Sequence, residues 1–180
     1  PDILINDSVI EFEHDDENDF GNMKLDEMMI KKWDKIIHEK LTSILLLTRI
    51  FGHQMAKDDG GVILNILSDL YLNPKGNIIN TLRKINDIAS ITITNGLFGL
   101  TKYIATYWEG KNVRSNSLAI GPYNECSTKR KDRTDLIKQI PIGRLANKDE
   151  YKSAIIFLIS DASSYMTGSN LVINGGRSCW

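Results

Sequence analysis

Short strand-like apolar runs separated by long amphipathic stretches constrain this chain more than anything else in it. Ile3 to Ile5 is continuously apolar and reads as a central strand, and Val62 to Ile66 reads as a second buried strand. Val113 to Ile120 alternates and stops at Gly121-Pro122, and Leu171 to Ile173 is closed by Gly175-Gly176. Between the first two runs, Asp26 to Asp58 carries helical periodicity. Met29, Trp33, Ile36 and Ile37 anchor a first piece, and Leu41, Ile44, Leu45, Thr48, Phe51, Gly52 and Met55 form the fullest stripe. Leu97, Leu100, Ile104 and Tyr107 form another stripe, ended by Gly110 with Lys111 and Asn112. Tyr151, Ala154, Ile155 and Leu158 share one face of a last helix. Strands that alternate with amphipathic helices predict an α/β fold with a parallel sheet, right-handed crossovers and helices on both faces.

The segments between these elements are polar. Glu11 to Asp19 is acidic and includes His14. A solvated loop explains it better than a metal site, because the acids lie side by side without ligand spacing. Leu72 to Ala89 reads as irregular, with a turn at Asn73-Pro74-Lys75-Gly76-Asn77 and a short helix within Ile78 to Ile88. Tyr123 to Gly143 is charged, with a short helix at Asp135 to Ile140. The cluster Lys129, Arg130, Lys131 and Arg133 is interrupted by Asp132 and fits a solvated face.

Composition narrows the functional classes. The 180 residues are 42% apolar and 25% charged with net charge -1, which suits one domain with a real core. That balance disfavours nucleic acid and anionic membranes as partners. No apolar run is long enough to span a bilayer. Cys126 and Cys179 have no metal-ligand spacing and form no disulfide framework. A reducing cytoplasm is the expected location. Pro1 opens almost directly on a strand pattern, which fits a processed chain, a fragment or a gene that has lost its start.

Gly96 to Trp108 (GLFGLTKYIATYW), Val113 to Asn116 (VRSN), Pro141 to Tyr151 (PIGRLANKDEY) and Phe157 to Gly176 (FLISDASSYMTGSNLVINGG) carry a resemblance to the short-chain dehydrogenase/reductase family. Asp2 to Asn6 resembles the strand before that family's Asn-Asn-Ala-Gly turn. Trp33 to Leu41 resembles the approach to its interface helix, and Val62 to Ser68 the strand that carries its catalytic Ser. The insertion after Ser68, TKYIATYW and the GGRSCW ending resemble a narrower group, dehydrogenases of flagellin-glycan and acylneuraminate-type sugar pathways. The resemblance implies a partial Rossmann-like sheet whose N-terminal strands would precede Pro1, and a single truncated domain over residues 1–180. It also implies NAD or NADP as cofactor and hydride transfer between an alcohol and a carbonyl.

In that family a Tyr phenol moves the proton and a Lys one turn later lowers its pKa from about 10 by adding positive charge. A Ser polarises the substrate oxygen, and an Asn holds a relay water. Ser68 matches the family's Ser. The Tyr position falls on Ser90, the Lys position on Thr94 and the Asn position on Lys40. Lys40 reads either as a surface cation or as a buried replacement, the surface reading being favoured. For the cofactor the resemblance points to Asn6, Gly121 and Pro122. Val9 stands where a Gly would let backbone approach the dinucleotide, and no Gly-rich fingerprint follows any strand.

Other chemistries are weaker. Tyr71-Leu72-Asn73-Pro74-Lys75 spells the Tyr-Lys spacing, but Pro74 prevents the helix that would align the pair, and Tyr71 follows Ser68 too closely. His14, His38 and His53 have no Ser or Cys at motif spacing. Tyr103, Tyr107 and Trp108 read as core and interface aromatics. Two expectations follow. One is an oxidoreductase by descent. The other is a non-catalytic remnant that associates with itself or an intact paralogue through helices 41–57 and 95–108, which in the family form the main dimer contact. The altered Tyr and Lys positions favour the second for the activity of this chain alone.

Overall fold

The computed structural model describes residues 1–8, 30–69, 72, 85–124 and 130–179, without the side chains of residues 32, 85–88, 90 and 130–132. In chain order the elements are β1 (Ile3–Asp7), α1 (Ile30–Ile37), a π-helical turn (His38–Thr42), α2 (Ser43–Lys57), β2 (Gly61–Ser68), α3 (Ile85–Tyr107), β3 (Val113–Ile120), α4 (Arg130–Lys138), α5 (Lys152–Ile159) and β4 (Asn170–Ile173). A short 3-10 turn (Lys148–Tyr151) leads into α5, and another (Arg177–Cys179) follows β4.

The four strands form one sheet in the order β1-β2-β3-β4, all parallel. β2 is the spine. Val62 to Ile66 pair with Ile3 to Asp7 on one side, and Gly61 to Ser68 pair with Val113 to Ile120 on the other. Side chains alternate across the sheet. One face packs under α2 and α3, where Ile63 and Val113 meet Met55 and Ile104, and Leu67 meets Ile44, Ile93 and Leu97. On the other face Leu64 and Leu118 meet Ala154 and Leu158 of α5. Helices therefore cover both faces, as the alternation predicts.

A polar line runs through the α2/α3 face. Asn6 Nδ2 donates to Asn65 Oδ1 at 2.9 Å and to Thr48 Oγ1 at 3.3 Å. Asn65 Nδ2 donates to Thr101 Oγ1 at 2.9 Å, and Thr101 Oγ1 donates to the Leu97 carbonyl at 2.7 Å. All four side chains are buried. Buried amides require partners, so this line fixes β1, β2, α2 and α3 in one relative position.

Several expectations are corrected. β1, read as central, lies at one edge of the sheet among the described residues, and Ile3 and Ile5 are each 44% exposed because nothing described covers their side. β3 does not alternate in burial. All eight of its residues are half-buried or buried, because β2 flanks its whole length, β4 flanks Ser117 to Ile120 and helices cover both faces. The helix holding Thr94 begins at Ile85, inside the stretch read as irregular. Its β-branched run (Ile91, Thr92, Ile93, Thr94) has modest helix propensity, and burial of Ala89, Ile93 and Leu97 overrides it. Tyr107 leaves the expected stripe. It is 59% exposed and stacks on Tyr103, with centroids 5.4 Å apart. Leu45, also expected on a buried stripe, is exposed. The helix expected from Asp135 starts at Arg130 and ends at Lys138. The acidic stretch Glu11 to Asp19, Met29, Val9, Cys126, and Tyr71 with Asn73 to Lys75 lie outside the described residues. No described helix is long and apolar enough to cross a membrane.

The β1 edge generates a prediction. An apolar strand with an open backbone edge promotes self-association, and charge on such a strand opposes it. The isolated chain should run as oligomers or aggregates by light scattering, and Ile5→Lys should lower the mean mass. A monodisperse wild-type monomer would contradict this.

Candidate functional site

In open α/β sheets, reactive groups gather beyond the carboxyl ends of the strands. Here β1 ends at Asn6 and Asp7, β2 at Ser68, β3 at Ile120 before Gly121, and β4 at Ile173 before Asn174. Ser68 pairs with Ile120 across the ladder, so Ser68, Gly121 and Pro122 share one edge. Ser68 is half-buried and engaged in interactions of its own. Asn6 lies on the same edge, one strand away, with its amide committed inward to Asn65 and Thr48.

α3 brings the next candidates to this edge. Ile93 and Leu97 pack on Leu67, which places the Thr94 turn beside the end of β2. Thr94 is 3% exposed. Ser90 lies four residues earlier in the same helix, a spacing that places both positions on one helix face. Lys40 sits in the π-helical turn between α1 and α2. It is half-buried and engaged, a middle case between the surface and buried readings. Ser68, Gly121 and Pro122 thus share the strand-end edge, and the turn of α3 that holds Thr94 packs beside the end of β2 on the α2/α3 side. Thr94 offers a neutral hydroxyl there, with no positive charge to acidify a neighbour.

The loop after β3 is tightly fixed. A Cβ added to Gly121 would lie 2.8 Å from Asn174 Cα, so only glycine fits between the two strand ends. Gly121 N donates to the Ile173 carbonyl at 2.9 Å. Tyr151 Oη donates to the Gly121 carbonyl at 2.8 Å from a buried position. The Pro122 carbonyl accepts from Ala146 N at 3.1 Å.

Sequence reasoning gave no role to the most buried charges at this edge. Asp69, the residue after Ser68, accepts from Arg177 Nη1 at 3.1 Å, with the two side chains 1% and 5% exposed. Arg177 Nη2 donates to Gln139 Oε1 at 3.0 Å. Burial raises the Asp69 carboxyl above its ordinary range, and the Arg177 charge pulls it partly back. The signal available was a lone Asp directly after a buried strand. Its partner lies 108 positions away, beyond reach of any local pattern.

Further along, Arg144 forks onto Glu150 at 2.7 and 2.8 Å, and Glu150 also accepts from Asn147 N at 2.8 Å. The last contact is half of a capping box at the start of the 3-10 turn that leads into α5.

Two predictions follow. Tyr151→Phe leaves one acceptor direction of the Gly121 carbonyl unfilled and should cost about 1–3 kcal/mol by denaturant titration. Its loss of amide-exchange protection should centre on residues 121–124. The Arg144 and Asn147 contacts hold the Glu150 carboxyl at about 2, against an ordinary 4.5. A depressed carboxylate stabilises fully above its unfolded value and loses that contribution as pH falls through its folded value. Wild type should therefore exceed Glu150→Gln in stability above pH 4.5, with the gap closing towards pH 2.

Comparison with known proteins places this edge in context. The family model described as enoyl-(acyl carrier protein) reductase matches residues 17–178. The chain is 30% identical over 159 residues to 2-dehydro-3-deoxy-D-gluconate 5-dehydrogenase of Bacillus subtilis, covering 85% of this chain and 59% of that protein. It is 32% identical over 154 residues to the 3-oxoacyl-[acyl-carrier-protein] reductase FabG of Thermotoga maritima, covering 83% and 58%. The chain therefore spans less than two thirds of the length of these relatives. A short-chain dehydrogenase of Leptospira borgpetersenii, solved with bound NAD+, superposes with a TM-score of 0.81 at 25% identity, covering 99% of this chain and 65% of that one. With a family match along most of its length and this parallel α/β architecture, the chain belongs to the short-chain dehydrogenase/reductase family of oxidoreductases.

Proposed function

We propose that this chain derives from a nicotinamide-dependent oxidoreductase of small alcohols or carbonyls, and that by itself it does not carry out hydride transfer. One observation carries the reading. Thr94, at the position of the family's Lys, is buried beside the end of β2, where a charge would have to stand to acidify a phenol at position 90. A serine at that position is far less acidic than a phenol, and a threonine four residues on cannot change that.

The edge fits a nicotinamide cofactor only in part. Ser68, Gly121 and Pro122 are suitably grouped, but the Asn6 amide is turned inward and no Gly-rich turn follows β1, β2 or β3. No chemical step is derived through the group. Substrates of the parent activity are read from the relatives, whose names describe dehydrogenases of 2-dehydro-3-deoxy-D-gluconate, D-threitol and galactitol. Other relatives are 3-oxoacyl-[acyl-carrier-protein] reductases, so the class these names support together is a small alcohol or carbonyl, with a sugar-derived alcohol as the narrower reading.

What the chain retains is a single domain with packing surfaces. The outer side of α2 exposes Leu45, Leu46, Leu47 and Ile50, and α3 exposes Tyr103 and Tyr107. Through residues 41–57 and 95–108 it would associate with itself or with an intact paralogue.

The reading is tested by titrating the chain with NADH and with NADPH and following energy transfer from tryptophan. No saturable signal is expected below the millimolar range, and micromolar binding would overturn the proposal. In the double variant Ser90→Tyr, Thr94→Lys, reductase activity on small sugar-derived carbonyls would show that the rest of the site is complete. Its absence there is the expected result.

A further inference from the structure

The turn after β4 touches two separate parts of the chain, the segment just after α4 and Asp69 beyond the end of β2. Gly175 and Gly176 adopt φ of +66° and +85°, conformations that side chains rarely adopt. They form a cradle for the segment just after α4. A Cβ at Gly175 would come within 2.6 Å of Ile140 Cγ2, and one at Gly176 within 3.0 Å of Pro141 Cγ. Ile142 N donates to the Gly175 carbonyl at 3.2 Å. Asn174 Oδ1 accepts from Gly176 N, and its Nδ2 donates to Ser178 Oγ, which fixes the turn internally. Arg177 then reaches inward, with Nη1 on Asp69 and Nη2 on Gln139.

We infer that Arg177 is a positioning residue for the candidate site: its guanidinium bolts the chain after Ser68 and the end of α4 to the same point of the C-terminal turn. The planar fork matters. Arginine can serve two acceptors in fixed directions at once, whereas a lysine ammonium supplies charge without that geometry. α4 depends on such a clamp, because its sequence RKDRTDLIK supplies few apolar anchors of its own. Leu136 and Ile137 are only half-buried. The spacing between the Ser68 end of β2 and the α4 wall is then set from the C-terminus and not by contacts of α4 with the sheet alone. The Asn174 side chain also helps hold the Asp69 carboxylate, so the turn after β4 grips Asp69 at two points while Arg177 alone reaches Gln139.

The inference concerns geometry and needs neither bound nicotinamide nor turnover. The test is hydrogen exchange by mass spectrometry on the whole chain, in wild type, Gln139→Leu, Arg177→Lys and Arg177→Met. Gln139→Leu cuts the α4 arm and keeps the Asp69 arm, and peptides over residues 130–140 should exchange at least tenfold faster while the peptide holding Ser68 and Asp69 stays protected. Arg177→Lys should reproduce that pattern, since it keeps the charge on Asp69 and loses the fork. Arg177→Met should release both. If Gln139→Leu and Arg177→Lys leave α4 exchange within twofold of wild type, or if every peptide accelerates equally, the positioning role is wrong. Saturable nicotinamide binding would overturn the proposed function and leave this inference untouched.

Discussion

Everything in this molecule hangs on the double pairing of β2. It is bonded along five residues to β1 and along eight to β3, so its register is set from both sides. A slip of one residue would move Ile63, Asn65 and Leu67 from the α2/α3 face to the α5 face and bring Leu64 the other way. Apolar packing alone would tolerate that poorly. Asn65 forbids it, because its amide finds Asn6 and Thr101 only in the observed register. A buried amide without partners costs more than an apolar residue in the same place, so the polar line acts as a register lock. The strand-end edge inherits its geometry from that lock. Ser68 stands opposite Ile120 because Asn65 stands opposite Asn6 and Ser117.

Much of the fold was legible because burial leaves a trace in composition. β2 and β4, the central helix stripe at Ile44, Thr48, Gly52 and Met55, and the helix that carries Tyr151, Ala154 and Leu158 all follow from periodicity. The failures have a common cause. A run such as Ile3 to Ile5 looks the same in a central strand and at an edge, because the sequence states apolarity and not the presence of a neighbour. The start of α3 was hidden because β-branched residues lower local helix propensity, while the packing of Ala89 and Ile93 that rescues the helix is tertiary. Tyr107 follows the helical period, but the packing of Ile104 and Trp108 with Met55 and Ile63 leaves it outside.

The candidate site was legible in its parts more than in its arrangement. The family resemblance pointed to Ser68, Gly121 and Pro122, which lie along one edge of the sheet. Asn6 could be found too, but its amide is used for the sheet. Asp69 and Arg177 could not be paired, since 108 positions separate them and neither belongs to a local pattern. Buried ion pairs are weak evidence for stability, because desolvation offsets much of their attraction. They are strong evidence of fixed geometry, since each charge tolerates few alternative positions. The pair lies one residue from Ser68, so its effect falls on the site more than on the core.

Catalytic chemistry and folding make separable demands on the same helix. Ile93, Leu97, Thr101 and Ile104 serve the sheet. In the proposed reading, positions 90 and 94 would serve a reaction only with a phenol and an amine in place. A threonine at buried position 94 carries no ammonium to desolvate, a cost on the order of several kcal/mol for an unpaired ion. The same reasoning does not apply to Asn65, Thr48 and Thr101, whose partners would be left unsatisfied by apolar replacements. Position 94 therefore holds a neutral residue at no cost to the fold, whereas Asn65, Thr48 and Thr101 cannot be exchanged for apolar residues without leaving a partner unsatisfied.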